Sequence, residues 1–450
     1  MTQSWRTAIL AVSLVILVGG WGAMSVLSRR LDLSAILAAR VLFGWMFPAT
    51  FIAVCGLTIA LASRPRRAAL RACMVTVSVV ASLALLEVPA MLKLVHWRVL
   101  CTHWLACDTL YNLTYHFDPE LGMRRPAHAR WSELALSDIE SGWSLPPARR
   151  ATLTFSYDAL GFRNPASLQH ADVVLVGDSY VEGAYADDTD VVTRRLEARL
   201  GRPVANLAVA GFGPRQELVV IDRVTPRYAP RVIVWFFFEG NDLYDDHSFA
   251  ALTPLSLAAL AQGSGAAGIR AFHGWQVRSF TLNALALLRR WVDPVLPNQA
   301  PYSARLITPA SAGTFVLFAD YARWPWTEAT AALWAKTQGN FRQGLTLTRQ
   351  RGVHLVLAFI PIKFRVYRPY VELPPGNPMH SWTLWPIREA FADFCRTEAV
   401  VCLDLTVALQ GALDAGGMPY AFTDTHWSAE GHDIVAHVVQ ETIDMMGWLE

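Results

Sequence analysis

Val173-Val174-Leu175-Val176-Gly177-Asp178-Ser179 decides the fold of this chain. Four consecutive branched apolar residues are too few for a helix and end at a glycine, so the run reads as a strand buried on both faces. Asp178 and Ser179 then stand at that strand's carboxyl end. The same pattern repeats downstream. A helical pattern over 189–200 closes at Gly201, and a second strand over 204–209 ends at Ala210-Gly211. A third strand covers 231–238. Thr327 is placed to cap a long helix over 328–351, which Gly352 stops. Strands over 353–360 and 400–405 and a terminal helix over 428–445 complete the series. Strands separated by helices predict an α/β domain over 171–450, three layers deep, around a mainly parallel five-stranded sheet. Ligands of such sheets gather beyond the carboxyl ends of the strands.

Outward from this core the alternation stops. Residues 243–326 read as an insertion over the site, with a helix at 279–292 and a hairpin-like run at 313–321. Residues 97–170 form a polar connector containing Trp and Pro. Ahead of it, residues 1–96 carry three apolar stretches, at 7–28, 42–62 and 72–95. The first two hold no charge, and the third is interrupted by Glu87, Pro89 and Lys93. A run of about 20 residues spans a hydrocarbon core of ~30 Å as a helix. The expectation is therefore a membrane anchor with three transmembrane helices. The length of the first run and the presence of two more favour a retained helix over a signal peptide. Arg64, Arg66, Arg67 and Arg71 mark the loop between the second and third spans as cytoplasmic, which places the rest of the chain on the far side.

Composition agrees with membrane segments. Of 450 residues, 53% are hydrophobic and 17% charged, and the formal charge is +2. That balance excludes a disordered chain and a nucleic-acid-binding tail. Among six cysteines, Cys101/Cys107 and Cys395/Cys402 form two short-range pairs in the part expected outside the membrane, where disulfides are permitted. Their spacing does not read as a zinc site.

The polar motifs fall at strand ends and one helix start: Gly177-Asp178-Ser179, Gly211, Gly240-Asn241-Asp242 and Asp424-Thr425-His426-Trp427. Each alone is ordinary turn chemistry; together, in order, they fit acyl transfer. A serine hydroxyl is a weak nucleophile until a base takes its proton, and His426 is the candidate base for Ser179. Asp424 can orient that imidazole and stabilise its protonated form. The backbone N–H groups of Ser179 and Gly211, with the Asn241 amide, would supply an oxyanion hole. Lys363, beside a strand end, either holds an anionic sugar, polarises the acceptor or is a surface lysine. Asp245-Asp246-His247 reads as a solvated loop sooner than a metal site. Trp324, Trp326, Trp382 and Trp385 read as core or membrane-facing anchors sooner than sugar platforms, and His432 reads as structural.

At these residues the chain resembles the SGNH (GDSL-type) esterase and acyltransferase superfamily. Gly177-Asp178-Ser179 looks like its first block, Gly211 its second, Gly240-Asn241-Asp242 its third and Asp424/His426 its last. It is more closely similar to membrane-anchored SGNH proteins of bacterial cell-surface polysaccharide pathways, through 158–163 (Asp-Ala-Leu-Gly-Phe-Arg), Pro361-Ile362-Lys363 and the Asp-x-His-Trp sequence. The last two also resemble periplasmic alginate O-acetyltransferases. The likeness covers roughly 150–445. Three departures stand out: one residue, not two, separates Asp424 from His426; the pair follows the serine, where the alginate enzymes place it before; and Glu239 occupies the usual Gly position of the third block.

The resemblance implies a serine-dependent O-acyl ester hydrolase or O-acetyltransferase acting on a cell-surface or secreted polysaccharide, with no metal or nucleotide cofactor and no nucleic-acid partner. It implies a multi-pass protein of the bacterial inner membrane with its catalytic domain facing the periplasm. For a transferase, a separate membrane protein would deliver the acyl group. A lipid esterase or thioesterase at the membrane is the first competing reading, and a non-catalytic polysaccharide-binding assembly protein the second.

Overall fold

The computed structural model describes residues 3–20, 52–57, 59–61 and 65–91, and from 116 on all but 119, 135–136, 140–151, 251–299, 301 and 309–312. Contacts divide the chain into two compact units, Met1–Leu92 and Lys93–Glu450. The expected helix at 279–292 and the pair Cys101/Cys107 lie outside the described residues.

In the first unit, helix α1 (Gln3–Leu14) continues as a π-helical turn to Gly20, and α2 (Pro65–Met91) is 27 residues long. Met74, Val75, Val77, Val80, Leu85 and Val88 are exposed on α2. Among the described residues no helix is long and apolar enough to cross a membrane. The expected spans run partly outside those residues, at 21–28, 42–51, 58, 62 and 92–95, and three transmembrane helices gain no support from the structure.

The second unit opens with two antiparallel pairs: β1 (His116–Asp118) with β2 (Gly122–Arg124), and β3 (Arg130–Leu134) with β4 (Thr152–Ser156). Strand β5 (Val173–Val176) leads into a one-turn helix, α3 (Ser179–Glu182). Helix α4 (Val192–Leu200) returns the chain to β6 (Val204–Asn206), and α5 (Pro214–Arg223) returns it to β7 (Val232–Phe238). Next come α6 (Asp242–Ala250), β8 (Ser303–Leu306), β9 (Phe315–Leu317) and the 23-residue α7 (Glu328–Gln350). The remainder is β10 (His354–Ile360), α8 (Lys363–Tyr367), β11 (Val371–Glu372), α9 (Ile387–Glu398), β12 (Val401–Asp404), α10 (Leu405–Asp414) and α11 (Ala429–Met446).

Five strands form one parallel sheet in the order β12-β10-β7-β5-β6. Because side chains alternate along a strand, β7 divides its residues between two cores. Val232, Val234, Phe236 and Phe238 pack with Leu196 of α4, Leu409 of α10 and Val435 of α11. Ile233, Trp235 and Phe237 pack with Val220 of α5, Phe341 of α7 and Phe391 of α9. The result is the expected α/β arrangement, a parallel five-stranded sheet covered on both faces. The close α7 approach requires Gly344, since a Cβ there would lie 2.5 Å from the Trp235 ring.

Two local expectations change. The second strand ends at Asn206, not 209: Leu207 N and Val209 N still donate to Leu175 O and Gly177 O of the neighbouring strand, but Ala208 N between them turns to the Asn206 side-chain carbonyl at 3.0 Å. The run at 313–321 is no hairpin of its own; β9 pairs with β8, which also pairs with β11 in a three-stranded antiparallel sheet.

Candidate active site

Strand β5 delivers Ser179 to the first position of α3. Asp178 caps that helix through Oδ1, which accepts from Tyr180 N at 3.0 Å. A side chain at Gly177 would lie 2.8 Å from Val181 Cγ2 and 3.2 Å from Phe236 Cβ, so the turn needs glycine. Glu182 fixes the other end of α3. It is fully buried and accepts from Arg125 Nε at 2.8 Å, Tyr157 Oη at 2.7 Å and Ala210 N at 2.7 Å. The last bond ties the nucleophile helix to the turn that carries Gly211, whose φ of +80° suits glycine.

The loop between α10 and α11 brings the other two groups. His426 Nε2 lies 2.9 Å from Ser179 Oγ, and Nδ1 lies 2.7 Å from Asp424 Oδ1. An ionised carboxylate only accepts, so Nδ1 carries a proton, and in the neutral imidazole Nε2 accepts from the Ser179 hydroxyl. The His426 backbone N–H also donates to Asp424 Oδ1, at 2.8 Å. The one-residue spacing is thus compatible with a serine–histidine–aspartate relay, because ring and backbone of His426 converge on one oxygen. Tyr180 packs against the His426 ring at 4.9 Å, and the fully buried Trp427 packs edge-on against Tyr180 at 5.1 Å.

Charge follows this geometry. Burial acts against ionisation of both groups, but the Asp424 charge and hydrogen bond, joined by the charges of Asp138 and Asp178, push the His426 pKa up to about 9. Asp424 is likewise opposed by burial, yet His426 holds it down at about 2. Asp178 is pushed up to about 6, mainly by burial.

The oxyanion donors are placed as follows. Among the described residues the backbone N–H groups of Ser179 and Gly211 have no protein acceptor. Asn241, one residue ahead of α6, spends one amide N–H on Asp245 Oδ2 at 2.6 Å, which leaves its second N–H for a ligand; its Oδ1 is buried without a partner. Glu239, the departure in the third block, forms a buried pair with Arg365 at 2.7 Å and accepts from Ile362 N at 2.7 Å. It ties the ends of β7 and β10 together, which no glycine could do.

Lys363 needs correction as a substrate-binding residue. It is buried, and its ammonium donates to the carbonyls of Ala421, Phe422 (2.9 Å) and Asp424 (3.0 Å), so its charge anchors the loop that carries Asp424 and His426. Asp245, Asp246 and His247 lie on α6, not in a solvated loop: Asp246 accepts from Arg215 N at 2.8 Å, and burial pushes Asp245 up to about 8. Trp382 and Trp385 are core residues, whereas Trp324 is 54% exposed beneath the Arg323 guanidinium. His432 is buried and neutral, accepting from Val192 N at 3.2 Å.

The connector contributes residues that sequence reading missed. Arg125 and Tyr157 hold Glu182. Arg163 donates to Glu182 O (3.1 Å), Gly183 O (2.5 Å) and Ala186 O (2.8 Å), bracing the chain just past α3. Its place in the 158–163 motif was a signal, since Asp158 folds that motif by accepting from Leu160 N and Phe162 N. Ser137 donates to Thr423 O, and Asp138 bonds Asp424 and Thr425. Asp138, Asp424 and His426 bring their donor atoms within 4.8 Å of one another, the one such group among the described residues that could hold a metal. Asp424 and His426 already satisfy each other, so this set does not fit a resident ion.

The sequence model of the GDSL-like lipase/acylhydrolase family matches residues 175–434. A probable alginate O-acetylase AlgJ of Pseudomonas aeruginosa is 33% identical over 103 residues, 23% of this chain and 24% of that protein. Its namesake in Pseudomonas fluorescens is 29% identical over 96 residues, 21% of this chain and 23% of that protein. The chain thus spans about a quarter of the length of these curated relatives. Among solved structures, a putative acylhydrolase from Bacteroides fragilis has 12% identity and a TM-score of 0.31, covering 62% of this chain and 92% of that one. A variant of Axe2, an acetyl-xylooligosaccharide esterase from Geobacillus, has 11% identity and a TM-score of 0.30, covering 61% and 94%.

Proposed function

This chain belongs to the GDSL-like lipase/acylhydrolase family, and from that premise we propose that it is a serine-dependent O-acyl ester hydrolase or O-acetyltransferase of a cell-surface or secreted polysaccharide. The observation that carries the reading is the relay from Ser179 Oγ through His426 to Asp424, at 2.9 and 2.7 Å. Ser179 Oγ attacks the acyl carbonyl while its proton passes to His426 Nε2. Asp424 stabilises the resulting imidazolium, and the oxyanion is received by the N–H groups of Ser179, Gly211 and Asn241. Collapse breaks the ester bond, and His426 returns the proton to the leaving alcohol. The acyl-serine is then opened by water in a hydrolase or by a sugar hydroxyl in a transferase, with His426 again taking the attacking proton.

The acetyl and polysaccharide parts of this reading are supported by the local match to AlgJ proteins and by the Asp-x-His-Trp sequence. Anchoring in a bacterial inner membrane, with this domain in the periplasm, is supported by the apolar runs in 1–96 and the exposed apolar side chains of α2. The bond between Cys395 and Cys402 fits an oxidising compartment. In a transferase a separate membrane protein supplies the acyl group.

Acetate release from p-nitrophenyl acetate and from an acetylated polysaccharide, compared between the native chain and Ser179→Ala, tests the reading. Loss of about 10³-fold or more in the variant is expected; equal rates in two folded proteins would sink it.

A further inference from the structure

We propose that Asp138, from the connector, is a positioning residue for this site: it brackets the Asp424-Thr425-His426 segment from outside and fixes the carboxylate that aims His426. The inference rests on the reading of Ser179, His426 and Asp424 as an acyl-transfer triad. Its basis is the division of labour around Asp424. Oδ1 accepts both bonds from His426, at 2.7 and 2.8 Å. Oδ2 accepts from the backbone N–H of Asp138 at 2.8 Å. A terminal carboxylate torsion is soft, so a donor on the second oxygen is what holds the plane of the first.

The Asp138 side chain completes the bracket. Its Oδ1 accepts from Thr425 N at 3.0 Å and its Oδ2 from the Thr425 hydroxyl. Thr425 is the single residue that separates Asp424 from His426, and so sets their relative position. Next to Asp138, Ser137 donates to Thr423 O, and from α3 the Tyr180 hydroxyl donates to Thr425 O at 2.6 Å. The segment is therefore pinned from two elements far away in the chain.

Asp138 also acts on the imidazole by charge. The titratable groups that face it are Asp424 and His426 of the loop, Tyr180 of α3 and Tyr321 of the 313–326 segment. Asp138 is exposed; the nearby charge of Asp424 raises the pKa of its carboxyl, and its negative form favours protonated His426. Removing that charge lowers the pH at which His426 becomes a free base. A residue that only held the loop in place would leave that pH where it is.

The test is kcat and KM for p-nitrophenyl acetate against pH, on the full chain and on Asp138→Asn, Asp138→Ala and Ser179→Ala, with thermal unfolding of each. For Asp138→Ala we expect a kcat loss of about 10²-fold with little change in KM, as for a small displacement of a catalytic group. For Asp138→Asn, nearly the same in shape, we expect a loss of about tenfold and an acid limb shifted to lower pH by about half a unit or more. Unchanged kcat in both variants, or a loss with an unmoved acid limb in the Asn variant, would overturn the proposal. Should the Ala variant not fold, the Asn variant decides alone. Activity retained in Ser179→Ala would instead remove the triad reading itself, an outcome the Asp138 variants do not mimic.

Discussion

The strand ends and the connector meet at the same few atoms but arrive there by opposite routes. Gly177-Asp178-Ser179, Gly211 and Asn241 lie at or just beyond the carboxyl ends of β5, β6 and β7, where a parallel sheet exposes its backbone. Among the described residues the connector forms two short strand pairs apart from the main sheet, yet it supplies Arg125, Ser137, Asp138, Tyr157 and Arg163. The strand ends present reacting groups. The connector holds the backbone behind them, α3 on one side and the 423–425 segment on the other. Chemistry in this protein is local to the fold, whereas its geometry is enforced from a segment outside it.

That contrast breaks first at its strongest point. Ser179→Ala should remove at least about 10³-fold of esterase rate while leaving the unfolding temperature within a degree or two, because the side chain is small and touches few partners. Arg125→Ala should do the reverse in its first effect: it leaves Glu182 buried beside a lost cation, a class of change that costs about 3–5 kcal/mol. Thermal unfolding checks it, with rate following only as α3 loosens. Similar unfolding temperatures for the two variants would erase the distinction between the two regions.

Lys363→Met sharpens the comparison from the sheet side, since Lys363 begins a helix after β10 but serves the loop. Loss of three charge-assisted bonds should lower kcat more than it raises KM, and a selective rise in KM for an anionic polysaccharide would return Lys363 to a substrate-binding role. The pH profile comes next. His426 must be neutral to accept the serine proton, and its pKa is raised to about 9 by three carboxylates. The rate should therefore climb with pH through the neutral range and level off near that value; a limb at or below the ordinary histidine value of 6.5 would contradict the carboxylate cluster.

The last prediction concerns His432, whose effect vanishes at neutral pH. Burial holds its pKa down at about 3, from 6.5. Below pH 6.5 the unfolded chain binds a proton that the folded chain refuses, so stability falls as pH drops toward 3. His432→Gln should flatten that part of the stability curve, measured by denaturant unfolding between pH 4 and 7.

The sequence made the first region legible and the second nearly silent, for reasons that follow from range. The strand at 173–176 is a run of adjacent apolar residues, and Asp424 lies two residues from His426. Local periodicity and short spacing carry such information. Asp138 and Asp424 are 286 residues apart, and no repeat or apolar pattern marks Ser137-Asp138 as a partner of anything. Lys363 shows the same limit. A lysine beside a strand end reads as a ligand for substrate because its three carbonyl acceptors sit 58 to 61 residues downstream, invisible until the loop closes. Arg163 lay between the extremes, visible as part of a motif but not as the brace of α3.

The central claim is that Ser179 carries the acyl group. Acid quenching of the chain during turnover of p-nitrophenyl acetate, followed by peptide mass spectrometry, tests it most directly. The account predicts one acetyl group on the peptide that contains Ser179, absent from Ser179→Ala and from His426→Ala. Acetate release by the native chain with that peptide unmodified, or undiminished release by Ser179→Ala, would contradict it.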